Sequence, residues 1–92
     1  MRKKKVLVHG TFDSLQKFFA DAISRDFEIV DLLSDENISN GLYVIAPKDL
    51  PNFSYELVDG IILTNPSGSL VKYFIKQGVE PRKIILWDAK EG

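Results

Sequence analysis

Near its start the chain changes hydrophobic period, and that change constrains the fold more than any other feature. Val6-Leu7-Val8 is an unbroken apolar run halted by His9-Gly10, and a run with no polar alternation is what a strand buried on both faces requires. Directly after it, Leu15, Phe18, Phe19, Ala22 and Ile23 recur at spacings of three and four, which lines one apolar stripe along a helix. Asp13 or Ser14 is the expected N-cap of that helix. A second apolar run, Phe27 to Leu33, then ends in the polar stretch Ser34-Asp35-Glu36-Asn37. Strand, helix and strand in this order form a βαβ unit with a right-handed crossover.

The alternation continues. Asn40-Gly41 reads as a turn, Leu42 to Ile45 as a short third strand, and Pro47 to Leu50 as a helical turn opened by proline. Val58 to Thr64 is a fourth strand. Asn65-Pro66-Ser67-Gly68-Ser69 leads from it into a helix bearing Leu70, Val71, Phe74 and Ile75, which Gly78 ends. Pro81 begins a turn into a fifth run, Ile84 to Trp87. Strands alternating with helices predict an α/β, three-layer fold: a parallel sheet of about five strands in the order 3-2-1-4-5, with helices on both faces.

Ninety-two residues suffice for one core and not for two, so residues 1–92 are expected to form a single domain, excised from a longer chain. A net charge of −1 and a basic cluster limited to Arg2 through Lys5 argue against a nucleic-acid partner, since no basic face follows the cluster. The apolar runs are too short to span a bilayer, and the absence of cysteine fits a reducing, cytoplasmic setting. With one histidine in the chain, a pair of catalytic histidines is ruled out. His9 reads as a strand-end residue rather than a general base, and Trp87 as a core residue or a contact to a neighbouring segment.

In an open parallel sheet, ligands bind beyond the carboxyl ends of the strands where strand order reverses. Two loops therefore carry the candidate site. The first, His9 to Ser14, contains Gly10, Thr11, Phe12 and Asp13 at the entrance to a helix, whose free N–H groups and dipole favour an anion. Glycine at position 10 permits a tight turn, but Phe12 and Leu15 stand where a dinucleotide fingerprint has its second and third glycines. The Phe12 ring is thus expected to obstruct the approach of a pyrophosphate. The second loop offers Thr64, Asn65, Ser67, Gly68 and Ser69 at another helix start, where Ser67 or Ser69 is the expected cap. An acid at the end of the second strand would accept hydrogen bonds from ribose hydroxyls; Asp31 and Asp35 are candidates, and Asp35, standing where the apolar run has ended, is preferred. Gly10-Thr11-Phe12-Asp13 also resembles the opening of a nucleotidyltransferase motif, but Gln16 and Phe19 hold the positions of its two phosphate-binding histidines.

Across nearly its whole length the chain resembles the small Rossmann-like domains that precede catalytic domains in bacterial sugar-modifying enzymes. These include the CoA-binding-like domains of nucleotide-sugar dehydratases and epimerases, and the leading domains of some methyltransferases. The residues that carry the likeness are Val6 to Gly10, Leu33-Ser34-Asp35, Asn40 to Leu50, the strand to Thr64, and Gly78 to Ile85. The resemblance implies a nucleotide- or nucleotide-sugar-binding accessory domain, non-catalytic in itself, within a larger enzyme of carbohydrate or cell-surface glycan biosynthesis. Nucleotide, nucleotide sugar, NAD(P), CoA and S-adenosylmethionine are the ligands it implies, with a catalytic domain following in the parent chain and a homodimer as a further partner. A module without a ligand, serving oligomerisation or domain docking through the fifth strand and Trp87, is the alternative.

Overall fold

A computed structural model of the chain describes residues 3–35 and 44–87. Four strands, β1 (Lys4–His9), β2 (Phe27–Leu33), β3 (Gly60–Leu63) and β4 (Ile84–Leu86), form one parallel sheet in the order β2-β1-β3-β4. Helix α1 (Phe12–Ala20) joins β1 to β2, and α2 (Gly68–Lys76) joins β3 to β4. The protein is therefore α/β with a parallel sheet. From β1 the chain moves outward to one edge, and from β3 outward to the other, so strand order reverses between β1 and β3.

Alternation along the strands builds two cores. Val6, Val8 and Ile62 face Leu15 and Phe18 of α1. Leu7, Ile61 and Leu63 face Phe74 of α2, together with Leu50, Tyr55, Val58 and Val79. Because successive side chains of a strand point to opposite faces, β1 and β3 can be wholly apolar and still supply both layers. The two helices consequently lie on opposite faces of the sheet.

Among the described residues the sheet has four strands in the order β2-β1-β3-β4, where five in the order 3-2-1-4-5 were expected. Residues 36–43, where the Asn40-Gly41 turn and the first half of the third strand were expected, lie outside the described residues. Ile45 makes an isolated parallel bridge to Leu33, with Ser34 N–H donating to its carbonyl at 3.1 Å and its own N–H donating to Leu32 O at 2.9 Å. It goes no further because Ala46 leads into Pro47, which has no N–H to give a ladder and opens a 3₁₀ turn over Pro47–Asp49.

Three local expectations also change. Helix α1 stops at Ala20 because Asp21 is extended and its carboxylate accepts the N–H of Ile23 at 3.0 Å, starting a 3₁₀ turn over Ala22–Asp26. Phe19 and Ile23 are thereby left partly exposed. In β2 the pairing slips by one residue, from Val6 opposite Ile29 to Leu7 opposite Asp31. That irregularity lets Ile29 and Leu32, three apart, join one core while Val30 is 45% exposed. The strand expected over Val58 to Thr64 begins only at Gly60, after Asp59 has exchanged hydrogen bonds with the backbone of Lys5. Helix α2 ends as expected at Gly78, whose φ of +102° carries the chain out of the helix. Trp87 belongs to the α1-side core, its ring edge-on to Phe18 at 5.3 Å. Among the described residues no helix is long and apolar enough to cross a membrane.

Candidate functional site

Every strand of a parallel sheet ends at the same edge, so the loops after β1, β2 and β3 are brought together there. They surround a cavity of about 600 Å³, within the range of small-ligand sites. The first loop contributes His9, Gly10 and Thr11, the end of β2 contributes Ser34 and Asp35, and the β3–α2 loop contributes Asn65, Ser67 and Ser69. Ala46, Pro47 and Lys48 form a further part of the wall, with Pro66, Leu70 and Tyr73 from the α2 side. The two loops singled out in the sequence are thus neighbours, 55 positions apart at the Thr64–His9 contact.

Hydroxyls knit the floor. Thr64 Oγ1 donates to the His9 carbonyl at 2.8 Å, and Ser14 Oγ lies 2.9 Å from Thr64 Oγ1. A hydroxyl has one proton, and that of Thr64 is committed to His9, so Ser14 donates to Thr64. Ser14 Oγ in turn accepts the N–H of Thr11 at 2.8 Å. Thr11 Oγ1 accepts the N–H of Ser14 at 3.1 Å, completing a capping box. Thr11, rather than Asp13 or Ser14, is therefore the N-cap of α1, and Ser14 is its N3 partner. At α2, Ser67 is the cap, accepting Leu70 N–H at 3.2 Å.

This network gives Gly10 a different role from the one expected. Its φ is not positive, so no left-handed turn requires glycine. A Cβ there would instead collide with Thr64 Oγ1 and Ser14 Oγ. Glycine is needed for close packing of the end of β1 against α1 and β3. Phe12, expected to obstruct a ligand, is the first residue of α1 and does not line the cavity; neither do Asp13, which pairs with Lys17 at 3.3 Å, the buried Thr64, or Gly68. Asp31 lies within β2 opposite Leu7, whereas Asp35 stands on the cavity wall.

His9 is the residue the sequence undervalued. Only 6% exposed, it lines the cavity and packs edge-on against Phe74 at 5.8 Å. Its Nε2 is 3.4 Å from Asp35 Oδ2, and Nδ1 has no partner among the described residues. Burial lowers the pKa of the ring from 6.5, against the opposing charge and hydrogen bond of Asp35. A neutral ring facing a carboxylate places its proton on Nε2. Lys48 was equally hidden, because its loop reaches the site only through the Leu33–Ile45 bridge. Against protein-family models and curated proteins alike, the chain has no match.

Proposed function

We propose that this chain is a Rossmann-like binding domain for a nucleotide or nucleotide sugar, acting as a cytoplasmic accessory module that performs no bond chemistry itself. One observation carries this reading: the cavity lies where strand order reverses, and the starts of both helices, Asp35 and Lys48 share its wall. Backbone N–H groups and Lys48 suit phosphoryl oxygens, Asp35 suits ribose hydroxyls, and the ring of Tyr73 with Pro47 and Leu70 gives an apolar surface for a base. Among the described residues the hydrogen-bond partner of the His9 ring is the Asp35 carboxylate, an acceptor and not a hydroxyl to activate, which supports binding rather than catalysis.

A second reading, a docking module without a ligand, is favoured by the Thr11–Ser14–Thr64 network, which fills with protein groups the space that a glycine loop offers to a phosphate. Amide chemical shifts of the ¹⁵N-labelled chain, titrated with ATP, UDP-glucose, NAD, CoA and S-adenosylmethionine, separate the two. Binding moves residues 9–14, 35 and 64–69 saturably with one of these compounds. If all remain unmoved at millimolar ligand, the docking reading replaces the binding one.

A further inference from the structure

Parallel pairing of β1 with β2 sets His9 opposite Leu33, so the imidazole that ends one strand meets the carboxylate that follows the other. Gly10 N–H, donating to Leu33 O at 3.1 Å, holds the two strand ends in this register. The two side chains differ in freedom. His9 is fixed: its carbonyl accepts both the N–H and the hydroxyl of Thr64 at 2.8 Å, and its buried ring packs edge-on against Phe74. Asp35 lies past the end of β2, and its side chain is 71% exposed. Without a partner, a carboxylate so exposed samples several staggered rotamers. A ligand that bound it would have to stop that motion, at a cost in affinity.

The His9 ring can supply one donor. Its Nδ1 is buried with no partner among the described residues, and a proton on that atom would be a buried donor with nothing to accept it. Burial also keeps the ring neutral at pH 7. The single N–H of the neutral imidazole therefore belongs to Nε2, which lies 3.4 Å from Asp35 Oδ2. Oδ1 of Asp35 has no partner among the described residues and stays open as an acceptor. Asp35 is also the one acid on the cavity wall among the described residues. A cationic imidazole would neutralise that carboxylate; the neutral ring orients it and leaves its charge for the ligand. Such a wall takes hydrogen-bond donors, as the hydroxyls of a sugar are, and repels phosphoryl groups.

We infer that His9 is a positioning residue: through Nε2–H and Oδ2 it holds the Asp35 carboxylate in one orientation on the cavity wall, so that the remaining oxygen accepts hydroxyl hydrogens of a sugar-bearing ligand. This role rests on the binding reading above and assigns the sugar of the ligand to the ends of β1 and β2. A donor on a fixed strand end orders an exposed acceptor before the ligand arrives, and binding is spared the cost of ordering it.

Two measurements test it, the first without ligand. The Hα–Hβ couplings of Asp35 in the labelled chain report whether χ1 is fixed. They should be unequal in the native protein and averaged in His9→Phe, which keeps a ring against Phe74 and lacks the donor. His9→Gln, whose amide N–H reaches as far as Nε2, should make them unequal again. His9→Asn, too short to reach, should behave as His9→Phe, so the outcome does not hang on the folding of one variant. Averaged couplings in the native protein, or unequal ones in both donor-less variants, overturn the role. The second measurement compares ATP and UTP with their 2′,3′-dideoxy forms by amide shift titration at pH 7. The native chain and His9→Gln should favour the ribose form of one of them by about tenfold, and His9→Phe and His9→Asn should lose most of that preference while still binding. A preference that survives in both, equal affinities in the native chain, or no saturable shift with any of the four compounds would overturn the role. A response to UDP-glucose, NAD, CoA or S-adenosylmethionine in any of these cases preserves the binding reading and removes only this one.

Discussion

Ser14 Oγ donates to Thr64 Oγ1 across 2.9 Å, binding the first turn of α1 to the end of β3. The pair is buried, 50 positions apart in the chain, and continues to the His9 carbonyl through the Thr64 hydroxyl. Thr64→Val keeps the shape of the side chain and removes the oxygen, leaving the Ser14 hydroxyl bonded to Thr11 alone. A loss of about 0.5–1.5 kcal/mol is expected, measured by urea unfolding. In a double-mutant cycle, Ser14→Ala and Thr64→Val should show coupling of about 0.5 kcal/mol or more; strictly additive losses would mean that the hydroxyls do not act together.

Gly10→Ala introduces the Cβ that meets both of these hydroxyls. Overpacking of this kind costs about 1–3 kcal/mol. If packing is the reason for glycine, the same substitution made together with Ser14→Ala and Thr64→Ala should cost clearly less, because the two obstructing oxygens have gone. An undiminished cost in that background would contradict the packing role.

His9 gives stability a dependence on mild acid. Burial holds its folded pKa below 6.5, so as pH falls from 6.5 toward the folded value the unfolded chain takes up a proton that the folded chain refuses. Stability is therefore complete above pH 6.5 and declines on acidification through that window. Asp35→Asn removes the influences that raise the pKa and should move it lower still. Because the chain has a single histidine, its Cε1–H resonance reports the titration unambiguously; a midpoint above 6.5 would refute the reading.

Tyr55 is nearly fully buried, and its hydroxyl has no partner among the described residues. Burial first, and the neighbouring Tyr73 second, push its pKa up to about 12 from 10. Above pH 10 the unfolded chain releases a proton that the folded chain keeps, so stability is lost as pH rises toward 12. Tyr55→Phe removes the stranded hydroxyl and should be neutral to stabilising by about 1 kcal/mol at pH 7, with a weaker alkaline decline. A loss of more than about 1 kcal/mol in denaturant titration would show that the hydroxyl has a partner.

Phe18 is fully buried and holds Trp87 edge-on. Phe18→Ala removes the centre of the α1-side core, with an expected loss of about 3–5 kcal/mol. The chain's single tryptophan should report the change as a red shift in emission, which would be missing if Trp87 were already solvated.

The sequence by itself determined the class of the fold and which loops meet at one edge of its sheet. Period and punctuation are local properties: the Val6-Leu7-Val8 run, the Leu15 and Phe18 stripe, Gly78 and Pro81 each act within a few residues, and each marks an element boundary that the structure shares. The end of β1 and the end of β3 were legible as the candidate site for the same reason. Tertiary structure decided what these residues do there. Whether Thr11 or Asp13 caps α1, and whether Gly10 serves a turn or a close approach, depends on Ser14 and Thr64, whose oxygens meet only when β1 and β3 pair. The wall carrying Lys48 depends on a single bridge between Leu33 and Ile45, too short to leave a periodic signal. The burial that lowers the His9 pKa comes from a fold-wide exclusion of water that no neighbour in the sequence could announce.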